Sequence, residues 1–511
     1  MTGGHISDNS RRIARNTVLL YLRMVVIILV GLYTSRVVIN ALGQDDFGTY
    51  GLVGGVVALF GVVTNSLSSA ISRFLAAELG KPEGRMTSVF STTVFVQLVF
   101  SVAIFFLAEV VGLWFLNYKL NIPPGRLEAA QWVLHCSILM FVVNMLAVPY
   151  NAAIIAHEKM EAFAYISIAE ALLGLGAALA VRFTGADKLR LYAILMLAVS
   201  VVIRILYGAY AGKHFPECRF RRKEVSGPVV REIGSFAGWT FLGNAAAVLN
   251  AQGINILYNL FFGVRVNAAR DVTVKLEGNM TRFIGNITTA LNPQINKNYV
   301  KGNRTYLHEL TCKGAKYSYF LFLFFAVPIL LETPELLRLW LKIVPEYTVS
   351  FVRISMLYSL FLSLGNPFVT TIFATGNVKR YEIVASITNV MALPLSYLAF
   401  QLGALAPWAY GILAGAAFLV LVERMVFTRR QTGLPFRKIW ADTLSKCLRV
   451  TLIAVLLPLA LWFFQPPSLW RTLEVVLVSF ASTAVTVYFL GTTVGEREAV
   501  VEAIKKRIKI K

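Results

Sequence analysis

The sequence predicts an all-α, polytopic membrane protein: about 14 transmembrane helices, forming two parallel six-helix repeats around a central cavity, plus two C-terminal helices. Three observations carry this. Of 511 residues 57% are hydrophobic and 15% charged, whereas a globular domain has roughly 45–50% and about 25%. The apolar residues gather in runs long enough to cross a bilayer. A short motif at residues 149–156 recurs at 367–374.

A spanning helix needs about 20 mostly apolar residues. In order, such runs cover 17–39, 47–70, 87–115, 127–149, 162–182, 189–211, 233–262, 268–292, 314–331, 349–375, 380–402, 405–423, 447–465 and 469–492. The first follows Arg11, Arg12 and Arg15, exceeds the ~7–15 apolar residues of a secretory signal and lacks an A-x-A site, so it reads as a retained helix. The seventh, eighth and tenth runs are the least hydrophobic. The expected organisation is an N-terminal bundle at 1–212, a basic linker at 213–232, a C-terminal bundle at 233–428, and two extra helices with a basic tail at 429–511. The connection near 332–348, with Leu336, Leu337, Leu339, Trp340 and Leu341, is expected to lie in the membrane interface.

Lys and Arg number 49 against 27 Asp and Glu, a net charge of +22. With the N-terminus inside, inner segments hold about three times as many Lys and Arg as outer loops, the bias of cytoplasmic loops. The expectation is a membrane protein with both termini cytoplasmic. Arg219-Phe220-Arg221-Arg222-Lys223, Arg429-Arg430 and Lys505-Lys506-Arg507 then face anionic headgroups, so membrane lipids rather than nucleic acid are the expected partners.

Several chemistries are excluded. Gly80-Lys81 runs into Pro82 and Gly212-Lys213 into His214, so no nucleotide-binding phosphate loop exists. His308-Glu309 lacks the second His of a zinc hydrolase helix. Cys136, Cys218, Cys312 and Cys447 lie in separate segments and form no disulfide framework. Asp45-Asp46 reads as a solvated helix connection. No cofactor or metal is called for, and no catalytic residue is assigned.

Pro149-Tyr150-Asn151-Ala152-Ala153-Ile154-Ile155-Ala156 and Pro367-Phe368-Val369-Thr370-Thr371-Ile372-Phe373-Ala374 both read P-[YF]-x-x-x-I-x-A. At nearly the same offset Leu42-Gly43 faces Phe262-Gly263, and Ala70 faces Ala290. Six runs separate the matched points. An even number preserves direction, so the repeats are parallel and the last two runs lie outside them.

Charge inside a run costs at least ~2.5–3.5 kcal/mol at mid-bilayer, so it must face protein or water. At about 100° per residue, Asp271, Lys275, Asn279, Arg282, Asn286 and Thr289 share about 80° of the eighth helix, a basic stripe. Asn244, Gln252, Asn255 and Asn259 do likewise on the seventh. The alternative to a wet cavity is helix-to-helix hydrogen bonding, which accounts for the amides better than for two cations on one face. Arg36 and Arg353 read as snorkelling from helix ends. For Arg23 and Arg204 snorkelling and function both stand open. Asn65, Ser68, Ser69 and Ser72 cluster on the second run and read equally as packing contacts. Glu170 and Asp271 are the candidates for ion coupling, unless Glu170 merely pairs with a cation such as Arg204 and Asp271 with Lys275.

Cations along a pathway suit an anionic, phosphorylated cargo, and amides suit sugar hydroxyls. Tyr21-x-Arg23, then Ser35-Arg36-Val37-Val38-Ile39-Asn40-Ala41-Leu42-Gly43-Gln44-Asp45-Asp46-Phe47-Gly48-Thr49-Tyr50, Ala70-Ile71-Ser72-Arg73-Phe74 and Leu291-Asn292-Pro293-Gln294-Ile295 resemble the polysaccharide transporter family. These are the lipid-linked oligosaccharide (O-antigen) flippases of the multidrug/oligosaccharidyl-lipid/polysaccharide exporter superfamily. The resemblance implies two six-helix bundles and alternating access. Its implied cargo is an undecaprenyl-diphosphate-linked oligosaccharide, with glycan polymerase or glycosyltransferases of the same pathway as partners. The family carries no motif residue to a role here.

The residue reading therefore assigns Lys275 and Arg282 to diphosphate, Asn279 and Asn286 to sugar, and Arg23, Asn255 and Asn259 to the cavity. One rival is a cation-coupled small-molecule exporter, which needs Glu170 or Asp271. A membrane glycan polymerase, ligase or acyltransferase would need a large outer loop or a catalytic His/Asp/Arg set, and the loop at 332–348 offers neither.

Overall fold

Helix follows apolar run along the chain, because backbone N–H and C=O groups in lipid must be satisfied within their own segment. The computed structural model describes the backbone of residues 3–61, 85–157, 159–493 and 495–498, with Thr64, Leu67, Ile71, Phe74, Leu75 and Glu78. It describes their side chains except over 3–22, 235–244 and 283–290 and at Ala156, Met160, Ala246, Ala247, Asn292, Pro293, Asn296, Lys297 and Val300. Among the described residues there is no strand.

The helices are α1 (Gly3–Leu42), α2 (Gln44–Ala58), α3 (Met86–Tyr118), α4 (Leu127–Ala156), α5 (Met160–Arg182) and α6 (Lys188–His214). Two short 3₁₀ turns in the basic linker lead to α7 (Gly227–Phe262) and α8 (Val264–Val300). There follow α9 (Arg304–Leu341), α10 (Thr348–Ala374), α11 (Lys379–Gln401) and α12 (Pro407–Thr432). The last two are α13 (Phe436–Phe464) and α14 (Leu469–Gly491). Among the described residues, 11 helices are long and apolar enough to span. The other three runs are the second, whose helix α2 has 15 residues, and the seventh and eighth, already among the least hydrophobic in sequence.

Two compact units emerge, Met1–Asp271 with Trp340–Pro345, and Val272–Leu339 with Glu346–Lys511. The division falls inside α8 rather than in the 213–232 linker, because α7 packs on α2 and α3. In the first unit α1 packs on α5, and α4 on α3 and α6, around Phe90, Leu134, Ile138 and Tyr207. In the second, α10 and α11 pack on α12, around Phe322, Met356, Leu364 and Met425. The pairs α4–α6 and α10–α12 are equivalent under the sequence repeat.

Other details repeat as well. The motif closes α4 at Ala156 and α10 at Ala374, with Pro149 and Pro367 inside the helices at matching places. Gly43 (φ 82°, ψ 174°) and Gly263 (φ 79°, ψ −178°) form the α1–α2 and α7–α8 junctions. Both have a backbone that only glycine adopts without strain.

The 332–348 connection is mostly helix: α9 runs to Leu341 across a kink at Glu332 (φ −103°, ψ 25°). Pro334 cannot donate to the carbonyl four residues back, that of Leu330, and its ring clashes there. Arg353 Nε donates to that freed oxygen at 3.1 Å, so this arginine satisfies a kink rather than snorkelling. Leu337 and Leu341 are buried, and Trp340 Nε1 donates to the Leu32 carbonyl at 2.7 Å. At the kink, Arg471 of α14 grips Glu332 from the side. Its Nε lies 2.9 Å from Oε1, its Nη2 donates to Oε2 at 3.1 Å, and the Thr472 hydroxyl adds a bond at 3.0 Å.

Candidate substrate site

The basic stripe stands on an unbroken helix, so its spacing in sequence is a spacing in space. α8 is helical from Val264 to Val300, which holds Lys275 and Arg282 about 10 Å apart along the axis on one face. Both side chains are exposed. Asn279 lies between them, half-buried, with its Oδ1 3.5 Å from Arg282 Nη1. The side chains of Asn286 and Thr289 lie outside the described residues, as do Asn65, Ser68, Ser69 and Ser72. Asp271 is turned toward α2, where its carboxylate takes the space a Cβ on Gly51 would need.

The amides of α7 have protein partners. Asn255 is buried, and Asn267 Nδ2 donates both to its Oδ1 (2.8 Å) and to its backbone carbonyl (2.7 Å). Gly55 of α2 comes so close that an added Cβ would meet Asn255 and Gln252. Asn259, fully buried, accepts from the Asn121 amide at 2.9 Å and donates to its carbonyl at 3.0 Å. Both amides thus accept hydrogen bonds from within the protein, Asn255 from α8 and Asn259 from the α3–α4 loop. The Asn244 side chain lies outside the described residues.

In the first unit Arg23 of α1 places its guanidinium 4.4 Å from the Phe163 ring centroid on α5. Glu170, about two turns further along α5, is within electrostatic reach of Arg23. Arg204 does not supply that partner. It lies 4.1 Å over the Tyr150 ring, the aromatic position of the repeated motif, folded back over Gly208.

The junction glycines frame a set of ion pairs that periodicity could not reveal. Asp45, just after Gly43, takes both Arg265 Nε (2.7 Å) and Nη2 (3.2 Å). Arg126, in the α3–α4 loop, bridges Asp46 at 2.8 Å and Asp187 at 2.8 Å, and Asp187 also caps α6. The two carboxylates on this guanidinium differ. Burial raises Asp46 above the usual carboxylate value despite Arg126. Burial also pushes Asp187 up, but the hydrogen bonds from Arg126 and the Arg190 amide outweigh it and hold Asp187 below that value. Arg126 is two run-lengths from either partner, so the signal in sequence was only two acids beside a turn. Among the described residues no cluster of His, Cys, Asp or Glu could hold a metal.

What the arrangement offers is a charged helix face that can bind an anion, with ion-paired junctions on α2 and α8. Comparison with known proteins agrees with that architecture. The chain is 20% identical over 486 residues to the uncharacterized membrane protein EpsK of Bacillus subtilis (strain 168), spanning 94% of this chain and 95% of that one. Its fold matches lipid II flippase MurJ in an inward closed conformation, with TM-score 0.67, 11% identity, and coverage of 93% of this chain and 98% of that. It also matches an inward-facing multidrug resistance MATE family transporter of the MOP superfamily, with TM-score 0.64, 14% identity, and coverage of 83% and 98%. The model of the family described as polysaccharide biosynthesis protein matches residues 13–298, which include most of α1, all of α2–α7 and the basic stripe of α8. The chain is a multi-pass membrane protein with the MATE/MurJ fold, and it belongs to the polysaccharide biosynthesis protein family.

Proposed function

We propose that the protein is a flippase, carrying an undecaprenyl-diphosphate-linked oligosaccharide across a bacterial inner membrane by alternating access for surface polysaccharide or lipopolysaccharide synthesis. It performs no chemistry on its cargo. The observation that carries the reading is the exposed pair Lys275 and Arg282 on one face of α8, inside the family match. Two cations two helical turns apart can engage a diphosphate by charge-assisted hydrogen bonds, each worth roughly 1.5–3 kcal/mol. Asn279 and Asn286 share that face by helical spacing and are assigned to the sugar, and Arg23 is the candidate cation of the first repeat. Asn255 and Asn259 act by fixing α7 rather than by touching cargo. Cytoplasmic termini follow from the basic loops, and glycosyltransferases or a glycan polymerase of the pathway are the protein partners.

The test is Lys275→Ala with Arg282→Ala in cells that display the glycan. Surface glycan is lost while the protein stays in the membrane at normal amount. Normal surface glycan in the double variant refutes the site. The MATE-like fold keeps one other reading in view, a cation-coupled small-molecule exporter. In that case Glu170→Gln abolishes export and the double variant on α8 leaves it intact.

A further inference from the structure

The second unit contains a charged cavity that the α8 stripe does not explain. It has a volume of about 240 Å³ and lies between α9, the start of α13 and the residues that follow α14. Its cations are Lys313, Lys316, Lys438 and Lys446. Its acids are Glu309, Asp442 and Glu496.

These charges are unequally committed. Lys316 is 1% exposed, and its Nζ donates to both oxygens of Glu496, at 2.9 and 3.2 Å. Lys313 pairs with Glu309 at 2.6 Å and approaches Glu496 at 3.7 Å. The Thr493 amide donates to Glu496 at 2.7 Å. Burial opposes the Glu496 charge, but that amide and Lys316 outweigh it and hold the carboxyl down to about 2. Lys438 and Lys446 form no ion pair among the described residues. With Asp442 they leave the cavity one positive charge in excess.

Its depth follows from sequence. The apolar run of α9 begins at 314, that of α13 at 447, and that of α14 ends at 492. All three stop beside the lining, which sets the cavity where hydrocarbon meets headgroups, on the side of the basic loops. Two π-helical stretches, Trp440–Leu444 and Val487–Gly491, border it. Such bulges cost regular hydrogen bonding and gather at functional sites. Gly491 fits under Phe320 with no room for a Cβ, which fixes the end of α14 against α9.

We infer that this cavity binds the phosphodiester headgroup of an anionic glycerophospholipid from the leaflet it opens to. Basic pockets between helices at this depth hold acidic headgroups. A phosphodiester brings one negative charge, matching the excess of one, whereas a diphosphate would overcharge the site. Lys438 and Lys446 contact the phosphate, and Glu496 sets the charge of the site while tying the tail to Lys316.

The experiment is native mass spectrometry of the purified full-length chain titrated with phosphatidylglycerol, with phosphatidylcholine as the zwitterionic control and inorganic phosphate as the soluble competitor. The wild type retains phosphatidylglycerol over phosphatidylcholine, and millimolar phosphate does not displace it. Lys438→Gln with Lys446→Gln weakens phosphatidylglycerol about ten-fold or more, the loss of at least one charge-assisted contact. Glu496→Gln strengthens it. Unchanged binding in the double lysine variant overturns the proposal, and so does equal retention of the two lipids. Displacement by phosphate alone overturns the lipid source. Weaker binding in Glu496→Gln reduces the cluster to a tail anchor.

Discussion

The pair Glu332–Arg471 offers a measurement whose size follows from its surroundings. Glu332 is fully buried and the Arg471 side chain is 8% exposed, so neither charge has water to fall back on. Arg471→Met leaves a carboxylate at the kink of α9 with only the Thr472 hydroxyl, and breaking a buried pair in this way costs about 3–5 kcal/mol. Each kcal/mol moves the Tm of a 150–250-residue domain by about 2–4 °C, so the variant should melt on the order of 10 °C lower. Glu332→Met with Arg471→Met removes both desolvated charges. It should recover most of the loss, because apolar replacements of a buried pair are often neutral or stabilising. Thr472 keeps a partner in that variant, since its single hydroxyl proton can turn to the Ser468 carbonyl at 3.1 Å. The assay is fluorescence-detected thermal unfolding of the detergent-solubilised full chain, read as a double-mutant cycle. A single variant melting within about 2 °C of wild type, or a double variant that loses the sum of the singles, refutes the reasoning.

Three further outcomes are expected. Gly43→Ala meets no atom within 4 Å, yet at φ 82° it should destabilise by about 1–3 kcal/mol through backbone strain alone, and Gly263→Ala should match it in thermal unfolding. Neutralising the exposed pair by Asp45→Asn should cost under about 1 kcal/mol and fade with salt; a large, salt-independent loss contradicts this. On acidification the support from Asp187, whose carboxyl is held low, is present above its ordinary value of 3.8 and lost as pH falls through its lower folded value. Asp46, held high, instead takes up its proton above 3.8 and favours the folded state as pH drops. Asp187→Asn should therefore flatten the acid limb of a melting-against-pH curve, whereas Asp46→Asn should steepen it.

Much of the architecture was legible because lipid imposes it. Within the described residues the apolar runs are helices, and the motif at 149 and 367 closes equivalent helices at the same residue. On α8 a continuous helix turns spacing into direction, which leaves Lys275 and Arg282 both exposed. What periodicity cannot supply is the identity of the opposing surface. It identified a polar face on α7 but not that Asn267 and Asn121 meet it. The kink before Pro334 went unread, and Arg353, which satisfies it, sits on the next helix. Arg126 belongs to a loop with no repeat to mark it, and Lys316 and Glu496 are 180 residues apart.

Asp45 and Arg265 are separated by 220 residues, the offset that superimposes one junction glycine on the other. They are counterpart positions bearing opposite signs and gripping each other. A dimer of identical ancestral halves could only have set like against like at that contact. With an acid at one position and a guanidinium at its counterpart, the contact exists only between two repeats that differ there.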